Sequence, residues 1–136
     1  MEESFNTLGI NEISRLNSEA VRRFGGLTGG QAGFLNRDSL EYALESTLFP
    51  IFGHFPYPTI IDRIAAIAQA IITRHVFLDG NKRTGLAVIQ ALAHMNGYNF
   101  RPNKADEDFM VKIAAEKLSA QAVSAWLQKR LENHKL

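Results

Sequence analysis

Ten consecutive residues, His75-Val-Phe-Leu-Asp-Gly-Asn-Lys-Arg-Thr84, combine groups that a surface turn seldom needs. Histidine is the side chain best suited to take a hydroxyl proton near neutral pH. Asp79 is the one carboxylate of the stretch. A hard Mg2+ ion takes one or two carboxylates and fills its shell with phosphate oxygens and water. One aspartate therefore suffices where ATP supplies the remaining ligands. Gly80 can adopt the positive φ that reverses a chain, and it lets a ligand approach the backbone. Asn81 can orient either the loop or a phosphate through its carboxamide. From residue 81 a helix is expected to begin, so the amides of 81–84 form an anion site at its N-terminus. Lys82 and Arg83 add full positive charges where the helix dipole disfavours them, an arrangement that an anionic ligand would offset. Together these groups could hold a phosphate donor and deprotonate an acceptor hydroxyl.

Each residue also has a plainer role. A histidine at a helix end can cap carbonyls, and Asp79-Gly80-Asn81 has the composition that turns select. Lys82 and Arg83 could be solvated charges. Phe77 is better read as a buried anchor than as a substrate contact. The conjunction favours chemistry, since the plain roles do not require all of these residues in one short loop. It is not a Walker loop, because the earlier glycine and the strand of that motif are missing. His54, His94 and His134 have no two-histidine metal spacing, and His94 reads as a core or boundary residue. Trp126, in register with Val123 and Leu127, reads as core packing.

The elements that must position this loop are helical. Ile10, Ile13, Leu16, Ala20, Val21 and Phe24 recur at three- and four-residue spacing, with Gly25-Gly26 as a stop. Residues 25–36 read as a glycine-rich loop. Asp38 and Glu41 resemble a capping box for a helix to about Leu48. A loop rich in proline and aromatics spans Phe49 to Pro58. Thr59 with Asp62 then opens a helix to about Arg74 that is apolar over more than half its circumference. A second apolar helix runs from about Lys82 to Asn96 and stops at Gly97. Two amphipathic helices follow near 105–117 and 120–133, with Ser119 as a cap. No repeat, low-complexity tract or linker interrupts the chain, and nothing alternates strongly enough for more than a short β-hairpin. The prediction is one all-α domain over 1–136, about six helices, with the motif loop joining the two central ones.

Composition narrows the class. With 136 residues, 46% hydrophobic and 21% charged, the chain fits a single globular domain with a real core. A net charge of +1 offers no global attraction to nucleic acid or anionic lipid. The absence of cysteine excludes disulfides and thiolate chemistry and fits a reducing cytoplasm. No apolar run reaches the ~18 residues of a membrane span, and the acidic start does not resemble a signal peptide. Direct nucleic-acid binding and membrane insertion are not expected, and the expected location is the cytoplasm.

The ten-residue motif resembles the signature of the Fic/Doc superfamily, specifically the death-on-curing (Doc) toxins. Gly29-Gly30, Asn36-Arg37-Asp38, Leu40 to Leu44, Phe52-Gly53 and Tyr57-Pro58-Thr59 extend that resemblance over most of the chain. It implies an all-α Fic-like bundle. Fic proteins mostly transfer AMP to protein hydroxyls, through His-x-Phe-x-(Asp/Glu)-Gly-Asn-Gly-Arg-x-x-Arg. Here Lys82 stands at the second glycine and Leu86 at the final arginine. Lysine at that position resembles the Doc form, which implies transfer of the γ-phosphate of ATP to a threonine of elongation factor Tu and so a block of translation. On this resemblance His75 is the base and Asp79 the Mg2+ ligand, while Gly80, Asn81, Lys82, Arg83 and Thr84 bind phosphate. Some Doc proteins carry a polar residue where this chain has Ala87. The family's inhibitory Ser/Thr-x-x-x-Glu-Gly/Asn motif is not found in these 136 residues. Restraint by a separate Phd-like antitoxin is therefore implied, its tail folding as it binds. Its expected seat is an apolar groove walled by Leu16 to Phe24 and by the aromatic loop Phe49 to Tyr57. The alternatives to a phosphotransferase are an AMP transferase of the broader Fic type and a non-catalytic module acting through a partner. His75, Asp79, Lys82 and Arg83 are expected to converge in one pocket, with Gly80 at the reversal.

Overall fold

A computed structural model describes residues 4–24 and 31–136. These form six α-helices and no strand beyond isolated bridges: α1 Ile10–Phe24, α2 Arg37–Leu48, α3 Ile60–Thr73, α4 Asn81–Met95, α5 Lys104–Glu116 and α6 Ala120–Leu131. The glycines at 25, 26, 29 and 30, expected to end α1 and open the next loop, lie outside the described residues. Among the described residues no helix is long and apolar enough to cross a membrane.

The apolar circumference of α3 explains its place at the centre. It packs against α2, α4, α5 and α6, and Ile61, Ile64, Ile67, Ile71 and Ile72 are all buried. Its start is fixed by the expected capping box: Thr59 Oγ1 accepts from the Asp62 N–H, and Asp62 Oδ2 accepts from the Thr59 N–H. Asp62 also receives the Ser124 hydroxyl at 2.6 Å, which ties α3 to α6. Burial pushes the Asp62 carboxyl up, but hydrogen bonds from Ser124 and Thr59 hold it below its ordinary range.

Against α3 lies α4, burying Thr84, Gly85, Val88, Ile89, Leu92 and Ala93. A Cβ added at Gly85 would stand 2.6 Å from Ile72 Cδ1. The two central helices thus approach as closely as a glycine permits. On its other flanks α4 meets α1 and α5. The apolar stripe of α1, Ile13, Asn17, Ala20 and Val21, follows helical spacing but carries a buried asparagine.

Two local expectations are corrected, at the start of α2 and at His94. Asp38 and Glu41 form no capping box: the cap lies two residues earlier, at Asn36, and Glu41 pairs with Arg37 at 2.7 Å. The α5 cap is one that periodicity overlooks, with Asn103 and Asp106 in a reciprocal box and Arg130 gripping the buried Asp106 carboxylate. His94 is exposed rather than a core or boundary residue. Trp126 packs against the core as expected, half-buried and stacked on Phe109 with 4.3 Å between ring centroids.

Candidate active site

The connection between α3 and α4 is held from three directions. Helix α3 ends at Thr73, two residues before His75, which adopts φ 49°. For a residue with a side chain that left-handed conformation costs about 1–2 kcal/mol, and it turns the chain sharply out of α3. The following residues run beside segment 33–36. Leu35 and Asn36 donate to the Val76 carbonyl at 2.8 and 3.0 Å, and Leu78 donates to Gly33 at 2.9 Å. Phe77, almost fully buried, stacks on Phe34 with 4.9 Å between centroids, which makes it the expected anchor. Asn36 also donates its carboxamide to the Arg74 and His75 carbonyls, closing the end of α3.

The reversal itself is at Gly80, with φ 73°. A Cβ there would meet Val21 Cγ2 at 3.0 Å, so both the backbone angle and α1 exclude a side chain. Asn81 closes the turn: its Oδ1 accepts from the Phe77 N–H and its Nδ2 donates to the Phe77 carbonyl, both at 2.9 Å. Of the two roles open to this carboxamide, it takes the orientation of the loop. Asn81→Ala strips the buried Phe77 backbone of both partners, so unfolding free energy should fall by about 1–3 kcal/mol. Chemical denaturation would measure it, and an unchanged midpoint would show that the loop closes without Asn81.

The N-terminus of α4 then opens on this turn. The Thr84 N–H bonds the Gly80 carbonyl at 2.8 Å, and the amides of Asn81, Lys82 and Arg83 precede the first helical bond. The expected four donors are therefore three. Thr84 does not fit a phosphate-binding role: it is fully buried, its N–H is engaged, and its hydroxyl accepts from Asn17 at 3.1 Å. Lys82 and Arg83 are exposed. Arg83 is not a loose charge, since its guanidinium carbon stands 3.8 Å from the Phe24 ring centroid, a cation–π contact that orients it.

Asp79 Oδ1 accepts from the Gly80 N–H at 2.8 Å, while Oδ2 is buried and has no hydrogen-bond partner. A buried oxygen left this way is costly in a folded protein. It suits a hard cation, which seeks a carboxylate oxygen and takes its other ligands from phosphate and water. Among the described residues no group of three or more histidine, cysteine or acidic side chains could hold a metal alone. A cation bound at Asp79 would thus draw most of its ligands from phosphate and water.

Of the four residues expected to converge, two line the groove beside the N-terminus of α4. These are Lys82 and Arg83; the groove has a volume of about 470 Å³, and neither His75 nor Asp79 lines it. Two turns of α4, α1 and α5 form its walls, including Leu16, Phe24, Leu86 and Met110. No residue of the aromatic loop lines this groove: the loop's second half is held to α3, while Phe49 and Phe52 are exposed. Arg63 donates to the Tyr57 and Pro58 carbonyls and lies over the Phe55 ring. His75 sits exposed at the opposite end of the ten-residue connection.

Sequence reasoning also misses Asn17. Its Nδ2 donates to the Asp79 carbonyl at 2.8 Å and to the Thr84 hydroxyl, and its Oδ1 accepts from the Gly33 N–H at 3.5 Å. The one signal available is a polar residue inside the apolar stripe of α1.

The model of the Fic/DOC family matches residues 7–93. The chain is also 29% identical over 103 residues to Toxin Doc of Mycolicibacterium smegmatis, covering 73% of this chain and 78% of that protein. The matched region contains the whole α3–α4 connection, together with α1 and α2.

Proposed function

The chain belongs to the Fic/DOC family, and from this premise we propose that it is a Doc-like toxin that phosphorylates a protein hydroxyl with ATP. The supporting observation is the N-terminus of α4, where three amide donors and two cations adjoin a carboxylate with one unpartnered oxygen. Such a site suits the triphosphate of a nucleotide better than a neutral ligand.

In this mechanism His75 takes the proton of the acceptor hydroxyl. The oxygen forms its bond to the γ-phosphorus as the bond to the β-phosphate bridging oxygen breaks, and ADP departs. Lys82 and Arg83, with the amides of 81–83, stabilise the negative charge carried by the phosphates. Gly80 lets the chain reverse against α1, and Asn81 holds the loop's shape. A Mg2+ ion bound through Asp79 would neutralise phosphate charge and fix the phosphates' orientation. The acceptor is taken to be a threonine of elongation factor Tu, by analogy with the Doc toxins, and the location to be the cytoplasm.

Restraint by a Phd-like antitoxin fits the groove between α1, α4 and α5, whose apolar floor could take helix anchors. Lys82 and Arg83 line it and follow the loop directly, so a bound tail would cover the phosphate-binding end.

Two measurements test the proposal. Incubated with a bacterial lysate and ATP labelled at either the α- or the γ-phosphate, the protein should transfer the γ-label to a single protein band. Transfer of the α-label instead would establish AMP transfer. Expressed alone, the wild-type chain should arrest growth, and co-expression of its neighbouring reading frame should restore it. Unimpaired growth with soluble, folded protein would favour the non-catalytic module.

A further inference from the structure

Asn17 sits where its neighbours in the α1 stripe are apolar, and only 1% of its surface is exposed. A carboxamide buried among apolar groups is tolerated when its polar atoms are satisfied. Every partner that satisfies this one belongs to the motif connection or to the segment paired with it. One Nδ2 hydrogen goes to the Asp79 carbonyl and the other to the Thr84 hydroxyl, while Oδ1 receives the Gly33 N–H.

Asp79 is consequently fixed at two points. Its main-chain oxygen is held by α1 and its Oδ1 by the next amide of the chain, at 2.8 Å in each case. Oδ2 is the one oxygen of the residue left without a partner. A further constraint closes the arrangement: the Gly80 α-carbon faces the same asparagine, since a Cβ there would stand 3.5 Å from Asn17 Nδ2. No other residue of α1 reaches the loop with a hydrogen bond among those the structure shows.

We propose that Asn17 is a positioning residue that presents the Asp79 carboxylate to a divalent cation at the nucleotide's phosphates. This rests on the phosphotransfer reading of the site. Asn17 touches neither nucleotide nor metal; it acts by holding the main chain of the residue that does. Groups behind a metal ligand commonly matter in this way, and losing one typically weakens metal affinity by about 10–100-fold.

The test uses the full chain with Asn17→Leu and Asn17→Asp. Leucine continues the stripe from Ile13 to Val21 without a donor. Aspartate keeps the shape but sets an oxygen against the Asp79 carbonyl. Asn17→Ser, which leaves a small polar group in the same space, replaces either chain that does not melt cooperatively. Mn2+ binding is followed by electron paramagnetic resonance with a non-hydrolysable ATP analogue present, and analogue binding is measured separately in metal-free buffer. Mn2+ affinity should fall by about 10–100-fold in the variants, with metal-free analogue binding unchanged. Folded variants that bind Mn2+ as wild type does would overturn the role of Asn17 alone. A wild-type protein that binds no Mn2+ with the analogue would overturn the phosphotransfer reading, and this inference with it.

Discussion

Replacing His75 with alanine is expected to lower turnover by roughly 10²–10⁴-fold, the usual contribution of a positioned general base. The dissociation constant for ATP should hardly move, since in this mechanism His75 acts on the acceptor hydroxyl and not on the nucleotide. Stability offers a control that the backbone dictates. His75 occupies φ 49°, a region asparagine tolerates better than most residues with a side chain. The His75→Asn protein would therefore keep the turn out of α3 while lacking an effective base. Both His75→Ala and His75→Asn should lose turnover, and His75→Asn should melt close to the wild-type temperature. Equal losses of turnover and of ATP affinity in the folded His75→Asn protein would make the histidine structural.

The second large effect is expected at Asp79. Converting it to asparagine preserves an oxygen for the Gly80 N–H but removes the charge that a cation requires. Metal-assisted charge stabilisation contributes several kcal/mol, so turnover should fall by about 10²-fold or more. Folding should not suffer in proportion, because Oδ2 makes no hydrogen bond that the substitution could break. Steady-state rates across a Mg2+ series, beside thermal melts, would separate the two quantities. An Asp79→Asn protein with near-wild-type rates, or a wild-type enzyme active in excess chelator, would remove the metal role.

The helices are legible in the sequence because their signals are local. Thr59-x-x-Asp62, Ser119 and Gly97 mark boundaries through contacts a few residues apart, and the isoleucines of α3 announce its central place. The site is legible as a composition: His75, Asp79, Gly80, Lys82 and Arg83 are chemically informative wherever they are found. What escapes is what depends on distant partners. Asp38 looks a better cap than Asn36 because the carbonyls that Asn36 closes lie 38 and 39 residues further on. Asn17 reads as a flaw in an apolar stripe until Asp79 and Thr84, 62 and 67 residues away, are brought against it. Thr84 resembles a phosphate ligand by position, and only the packing of α1 on α4 turns its hydroxyl inward. The aromatic loop misleads similarly, since the hold of Arg63 on Phe55 and Tyr57 cannot be read from the loop's own residues.

The ties on the α3–α4 connection also bear on the entropy of recognition. Leu35, Asn36, Asn17 and Asn81 restrain its backbone through hydrogen bonds already made in the protein alone. Fixing a residue's backbone costs about 1–2 kcal/mol in lost conformational freedom. For this loop that loss is met during folding and is shared with the core that α3 and α4 bury. An incoming anion then needs to order only its own torsions and the exposed side chains of Lys82 and Arg83, of which Arg83 is already stacked on Phe24. A short loop preorganised this way can bind a ligand through few contacts, because little of their free energy goes into shaping the receptor.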